Sequence, residues 1–464
     1  MRSAMSPAGI RGLFMRFRFL ILAFLILISV SGAAAQTSSC QVPDQMKKEQ
    51  KLPCVRAGSF MLDQPSLTPT QLANGPDFDA ADPEKSRFAY FTAADNIFCY
   101  FRPHYAFMSV KGDSLKFQCW HMTADGQYYS PTGELIRLET VKVVTKKHKD
   151  GETSASLYAG NDTNNEHEIK VDHFKVKYLK PPYPEHNTRF NEVFTEVAAS
   201  RIMWVLGFPA DHVYPVGSAA CIGCTADPFT SNLKDNKASL KEAPNVFKVV
   251  SAERETPWEE IKADGDETWS WSDATRFYAD GEWTHQQRVE YDAYRLALGL
   301  LHYHNAIAQQ NRIACAQWAP DAAGQSRTCQ KPMIFAQDLG STFGKAKGAL
   351  DLFGTNPRGS FSAWESQTVF ANLQACELRA TLDGDKQVLK EAQDLMIQRV
   401  AHLDPKTVRA IFTVARFQMM DQKQVLRLRD GGSQNPEEAA LDEWTNTFLK
   451  RIEEIKSAQN CKAK

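Results

Sequence analysis

KPMIFAQDLGSTFG, residues 331–344, is the stretch on which the fold turns. An apolar run from Met333 to Ala336 stops at Gln337 and Asp338, and Gly340 follows. A short apolar run bounded by turn residues reads as a buried strand. An aspartate in such a turn ordinarily bonds to its own backbone two residues on. Where a buried strand ends beside a glycine, its oxygens also suit a hard cation or a metal-bound phosphate. The rest of the chain decides between the two.

Upstream, the pattern is strand-like from about 86 to 145. Phe98, Tyr100, Phe107, Val110, Phe117 and Trp120 fall between Gly and Pro breaks. Residues 146–168 are polar and read as an exposed insertion or a long hairpin tip. Phe174-Lys175-Val176-Lys177-Tyr178 then alternates strictly, which predicts a half-buried strand with both lysines on one face. Pro181, Pro182 and Pro184 stop it. Val193, Val197 and Trp204 recur near helical spacing, and Gly207 with Pro209 closes a helix over about 189–206. Strands are expected at 213–216 and 246–250, with a long loop between them. Beyond about 255 the chain turns helical, with helices expected near 290–301, 387–402, 405–417 and 436–457. In the last, Leu441, Trp444, Phe448, Ile452 and Ile455 form one apolar stripe, the mark of a helix packed on a core. Strands first and helices after predict an α+β chain with segregated lobes.

The chain begins with Arg2, Arg11, Arg16 and Arg18, an apolar stretch from Phe19 to Val30, and Ala33-Ala34-Ala35. This is the make-up of a secretory signal peptide over residues 1–35. Cys40 raises lipidation as an alternative, but Thr37-Ser38-Ser39 lacks the leucine of a lipobox. No later stretch reads as a transmembrane helix, so a periplasmic or secreted protein is expected. Losing the four arginines takes the net charge from −1 to −5, with the signs mixed, which argues against nonspecific nucleic-acid binding. All 10 cysteines lie beyond the leader, and an even number in an oxidising compartment implies disulfides. Cys315 with Cys329, Cys99 with Cys119, and Cys40 with Cys54 are candidate local pairs, although spacing leaves the connectivity open. Cys221 and Cys224 form a CxxC without a second CxxC, paired histidines or a thioredoxin-like setting, so a structural disulfide is expected there too. Glu166-His167-Glu168 with His173 has no metal-ligand spacing, and neither a GxSxG nor an HExxH motif occurs.

Four parts thus fall in order: the turn Gly112-Asp113-Ser114-Leu115-Lys116, the strand with Lys177, the helix with Glu196, and a loop HYHNAIAQQNR followed by the apolar strand and Asp338. This order resembles a protein-kinase catalytic core. The segments GDSLKFQC, FKVKY, EVAASRIMWVLGFPADHVYPV, CIGCTADPF, WSW, NRIAC and QDLGSTFG are similar to those of exported bacterial proteins with an atypical kinase-like fold, in the broad sense that includes HipA-type and secreted kinases. The resemblance covers roughly 105–345. It implies a β-rich lobe over 86–250 with an insertion at 124–170 and a helical lobe over 251–464; residues 36–85, with Pro65, Pro69, Pro76 and Pro83 and few apolar runs, read as a weakly ordered segment from their composition. The resemblance also implies ATP or a related nucleotide with Mg²⁺, and a protein or small-molecule substrate. Lys177 would hold the nucleotide phosphates, with Glu196 as its ion-pair partner and Lys175 as the fallback lysine. Gly112, Ser114 and Lys116 would belong to the phosphate-covering loop, and Asp338 would be the metal ligand.

The chain departs from the pattern at the catalytic loop. Aligned on Arg312, Asn305 stands at the position of the base and Gln310 at that of the metal-holding amide. Asn305 cannot take a proton as a carboxylate does, whereas Gln310 still offers a carbonyl oxygen. His302 and His304 lie beside the gap as candidate bases; the simpler reading is polar residues at a helix end. An active phosphotransferase, an impaired pseudokinase scaffold and an envelope protein serving partner contact therefore all remain as readings.

Overall fold

The computed structural model describes residues 39–43, 51–62, 91, 94–102, 115–130, 134–137, 141–147, 153–159, 167–179, 191–226, 243–254, 256, 258–261, 269–303, 310–319, 326–344, 359–379 and 386–463. The leader, Gly112, Ser114, His304 and Asn305 lie outside these residues.

The chain is mixed α and β. It opens with β1 (Cys40–Pro43) and α1 (Leu52–Ala57), followed by β2 (Asn96–Arg102), β3 (Lys116–Met122), β4 (Tyr128–Tyr129) and β5 (Leu135–Ile136). Then come β6 (Val141–Lys147), β7 (Thr153–Ala159), β8 (His167–Ile169), β9 (His173–Lys177), α2 (Glu192–Val205), β10 (His212–Ile222) and β11 (Asn245–Arg254). The second half holds β12 (Glu259–Glu260), α3 (Trp271–Ala279), α4 (His285–Leu300), β13 (Asn311–Cys315), β14 (Ser326–Cys329) and β15 (Pro332–Ala336). It ends with α5 (Phe361–Glu365), β16 (Phe370–Asn372), β17 (Glu377–Leu378), α6 (Lys390–Val400), α7 (Pro405–Val414), α8 (Gln422–Asp430) and α9 (Pro436–Ser457).

Five strands close on themselves in the order β2-β10-β11-β9-β3, with β3 pairing back to β2, and β4 and β5 extend the sheet beyond β3. Closure removes open edges. The β2–β10 contact is parallel and the other barrel contacts are antiparallel. Phe101, Phe117, Phe174, Val176, Val216 and Phe247 belong to the buried cluster of this barrel. Because side chains alternate along a strand, Phe174 and Val176 share one face of β9 while Lys175 and Lys177 share the other. The lysine face is not a solvated one: Lys177 is buried, and so is every residue of α2. The polar stretch after β5 contributes a separate sheet in the order β6-β7-β8, with β6 and β7 forming an antiparallel hairpin.

The helical half packs around Phe343, Trp364, Phe412, Phe417, Trp444 and Phe448, whose rings meet at 4.4–6.3 Å. The α9 stripe of Leu441, Trp444, Phe448, Ile452 and Ile455 is buried throughout. This half is not purely helical, since β12, β13 and β15 form a sheet that delivers Asp338.

The segment expected to be weakly ordered, 36–85, contains β1, α1 and an anchored strap. Cys40 lies opposite Cys329 across β1 and β14. Ser59 N–H donates to Pro332 O at 3.0 Å, and Ile334 N–H donates to Ser59 O at 2.9 Å. Phe60 sits among Trp269, Trp283, Tyr291 and Tyr294 with ring centroids 5.3–6.0 Å away. Residues 40–43 and 51–62 are thus ordered by β14, β15 and an aromatic cage, whose members stand over 200 positions away in the chain, while Pro65, Pro69, Pro76 and Pro83 lie outside the described residues.

Candidate functional site

Lys177 ends β9 and lies opposite Lys116 on β3 and Ser251 on β11. Its Nζ lies 2.7 Å from Glu196 Oε2 and 3.3 Å from Glu192 Oε2. The two glutamates are four apart, hence on one face of α2. Glu253 Oε2 is 3.5 Å away, and Asp338 Oδ1 is 3.6 Å away. Lys175 forms an ion pair with Glu253, its register partner on β11.

The placement of Asp338 follows from its supports. Tyr294 OH on α4 accepts the Ala336 N–H at 2.6 Å, fixing the end of β15. Asp338 Oδ1 then accepts the Gly340 N–H at 3.1 Å. The local turn bond and the contact with Lys177 therefore coexist. Thr195 Oγ1 on α2 donates to Gly340 O at 2.7 Å, joining the helix to this loop. A Cβ on Gly340 would come within 2.7 Å of Glu192 Cγ, so the close approach needs glycine.

The charges divide unevenly. Burial works against Lys177 keeping its proton, but Asp338, Glu196 and Glu253 outweigh it and push the pKa up. Burial raises Glu196 to about 8 against the pull of Lys177, with Glu253 and Asp338 adding to the rise. Asp338 behaves oppositely: Lys177, Lys116 and Lys175 overcome its burial and hold it down at about 2. Burial, with Lys175 and Lys177, pulls Lys116 down to about 8. The Asp338 side chain is 18% exposed, while those of Glu192, Glu196 and Glu253 are at most 3% exposed. Asp338 is thus the ionised carboxylate that faces outward.

The structure brings together Lys177, Glu196, Asp338 and Lys116. Lys116 opens strand β3, while Gly112 and Ser114 of the same expected loop lie outside the described residues. Gln310 O accepts the Gln337 N–H at 2.7 Å, which sets its backbone beside the residue preceding Asp338. Sequence reasoning missed Glu192 and Glu253. Glu192 was legible as the residue one turn before Glu196; Glu253 was not, since only the β9–β11 register brings it there. It also missed Tyr303, whose hydroxyl pKa burial pushes well up, with Asp338 adding to the rise.

The candidate cysteine pairs Cys40–Cys54, Cys99–Cys119, Cys221–Cys224 and Cys315–Cys329 are all bonded, and Cys376–Cys461 joins them. Five disulfides are compatible with an extracellular or periplasmic location. Among the described residues, no helix is long and apolar enough to cross a membrane.

No family model matches this chain, and no curated protein matches it. Among solved structures, the crystal structure of a Helicobacter pylori proinflammatory kinase, CtkA, aligns over 68% of this chain and 94% of its own at 12% identity, with a TM-score of 0.34. An overlap this faint has no weight in the functional reading, which rests on the geometry around Lys177.

Proposed function

We propose that this chain is an exported kinase-like phosphotransferase with two lobes, residues 86–250 and 251–464, and a site for a nucleotide and Mg²⁺ between them. The observation behind this reading is the buried pair of Lys177 and Glu196 at 2.7 Å, with the outward-facing Asp338 3.6 Å from the same Nζ. The residues fit such a ligand. Lys116, Lys175 and Lys177 are three ammonium groups on two adjoining strands, suited to phosphate oxygens. Asp338 is ionised and partly exposed, as a carboxylate for a hard cation must be. Glu196 Oε1 receives no hydrogen bond among the described residues. Lys177 would hold the phosphates with Glu196 fixing its position, and Asp338 with Gln310 would hold the metal. Mg-nucleotide supplies the phosphoryl group and the cation that neutralises developing charge. By the alignment on Arg312, Asn305, with His304 beside it, would take the place of the base.

Calorimetry of Mg-ATP with residues 36–464 tests the reading. Binding that Lys177→Ala and Asp338→Ala both abolish is expected; absence of binding to the folded chain refutes it.

A second reading, a pseudokinase-type scaffold, is favoured by the four carboxylates that already crowd Lys177 and by Asn305 at the base position. Transfer of labelled phosphate from ATP to protein or small-molecule acceptors decides against it. Binding without transfer, unchanged in biological role by Asn305→Asp, decides for it.

A further inference from the structure

Four cysteines that play no part in the Lys177 site converge inside the barrel. Cys99 on β2, Cys119 on β3, and Cys221 and Cys224 at the end of β10 all belong to its buried cluster. They are bonded as Cys99–Cys119 and Cys221–Cys224. The two bonds are not independent neighbours, because the sulfurs of Cys99, Cys119 and Cys221 all lie within 4.8 Å of one another. Cys221 is moreover the register partner of Cys99 on the adjacent parallel strand. Facing residues on neighbouring strands are about 4.8 Å apart, inside the range of about 4.4–6.8 Å that a disulfide spans. Cys119 and Cys221 sit on strands separated by β2, roughly two such spacings apart, beyond that range.

We infer that these four cysteines form a thiol–disulfide relay in which an external dithiol opens Cys221–Cys224 and the barrel staple passes from Cys99–Cys119 to Cys99–Cys221. Cys224 is the point of attack, since it retains 6% exposure while the other three have none. The incoming thiolate forms a mixed disulfide with Cys224 Sγ, and the electron pair of the broken bond leaves on Cys221 Sγ. A thiolate in apolar surroundings is unfavourable, and the Cys99 sulfur lies within its reach. Cys221 Sγ attacks Cys99 Sγ, the Cys99–Cys119 bond breaks, and Cys119 Sγ departs with the pair and takes a proton. The second thiol of the dithiol then closes on the first and releases Cys224 as a thiol. The dithiol is oxidised to its disulfide, and the protein gains thiols at Cys119 and Cys224. The staple thereby leaves the β2–β3 seam for the β2–β10 seam, and β3, the strand that also carries Lys116, is then held to β2 by its backbone ladder without the covalent link.

Peptide mapping of the oxidised full chain tests this. The native protein is treated with one equivalent of dithiothreitol, quenched with N-ethylmaleimide and digested without further reduction. The relay predicts label on Cys119 and Cys224 and a linked Cys99–Cys221 peptide. Label on Cys221 and Cys224 with Cys99–Cys119 intact overturns it, as does reaction confined to the other three disulfides. The double variant Cys119→Ser/Cys224→Ser gives an independent arm. It forms the Cys99–Cys221 bond in air if the relay geometry holds, and persistent free thiols at both positions overturn it.

Discussion

Lys177 is the residue on which the site balances. Its ammonium, buried among four carboxylates, compensates charge that would otherwise stand alone in a low-dielectric setting. Removing one partner of a buried ionic group typically costs about 3–5 kcal/mol. Lys177→Met is therefore expected to lower the unfolding free energy by about 3 kcal/mol, measured by urea denaturation, as well as to abolish nucleotide binding. The pH dependence of binding follows from two neighbours. Lys116 loses its positive charge, and Glu196 its proton, as pH rises through about 8. Both changes make the site more negative, so affinity for Mg-ATP should fall across that interval. Lys116→Met should weaken binding at neutral pH and flatten the decline, which calorimetry at pH 7 and pH 9 would reveal. Lys116, Lys175, Lys177, Glu196 and Asp338 were readable in the chain. Lys175 and Lys177 share a face by simple alternation, and Glu196 follows on a helix. Glu253 entered only through strand register.

At the scale of elements, two devices hold the site in place. The strap at Ser59–Leu62 runs against β15 and up to Gly207, where Leu62 N–H donates to the carbonyl at 2.8 Å. Its anchor is Phe60, fully buried among aromatic rings. Phe60→Ala should cost about 3–5 kcal/mol and loosen β15, with hydrogen exchange at Ile334 and Ala336 rising alongside the loss of stability. Arg416 is the second device. Its guanidinium donates to Val216 O at 2.9 Å and Val250 O at 2.8 Å, tying the segment after α7 to the barrel strands β10 and β11. The α9 helix was legible because a regular apolar stripe needs only local periodicity. The strap was not, because its ordering comes from partners distant in sequence.

For the molecule as a whole, long-range crosslinks complement the core. Cys376–Cys461 closes the longest disulfide loop, with a separation of 85 residues, and ties the β16–β17 region to the chain beyond α9. Loop-closure entropy for a loop of that length is worth about 4–5 kcal/mol. The paired substitution Cys376→Ala/Cys461→Ala should lower the melting temperature by several degrees in calorimetry, without the Mg-ATP affinity changing, since neither residue approaches Lys177. By itself, the amino-acid sequence determined the mixed α and β character, the positions of the main helices, the alternation of β9 and the break at Asp338. These depend on patterns within a few residues. Only the tertiary structure decided that the first strands close into a barrel, that Lys116 faces Lys177 from a strand, that Glu253 joins the site and that four cysteines meet in one place. Register and closure are set by the simultaneous packing of residues far apart along the chain, and no local pattern encodes which of several compatible pairings buries the most apolar surface.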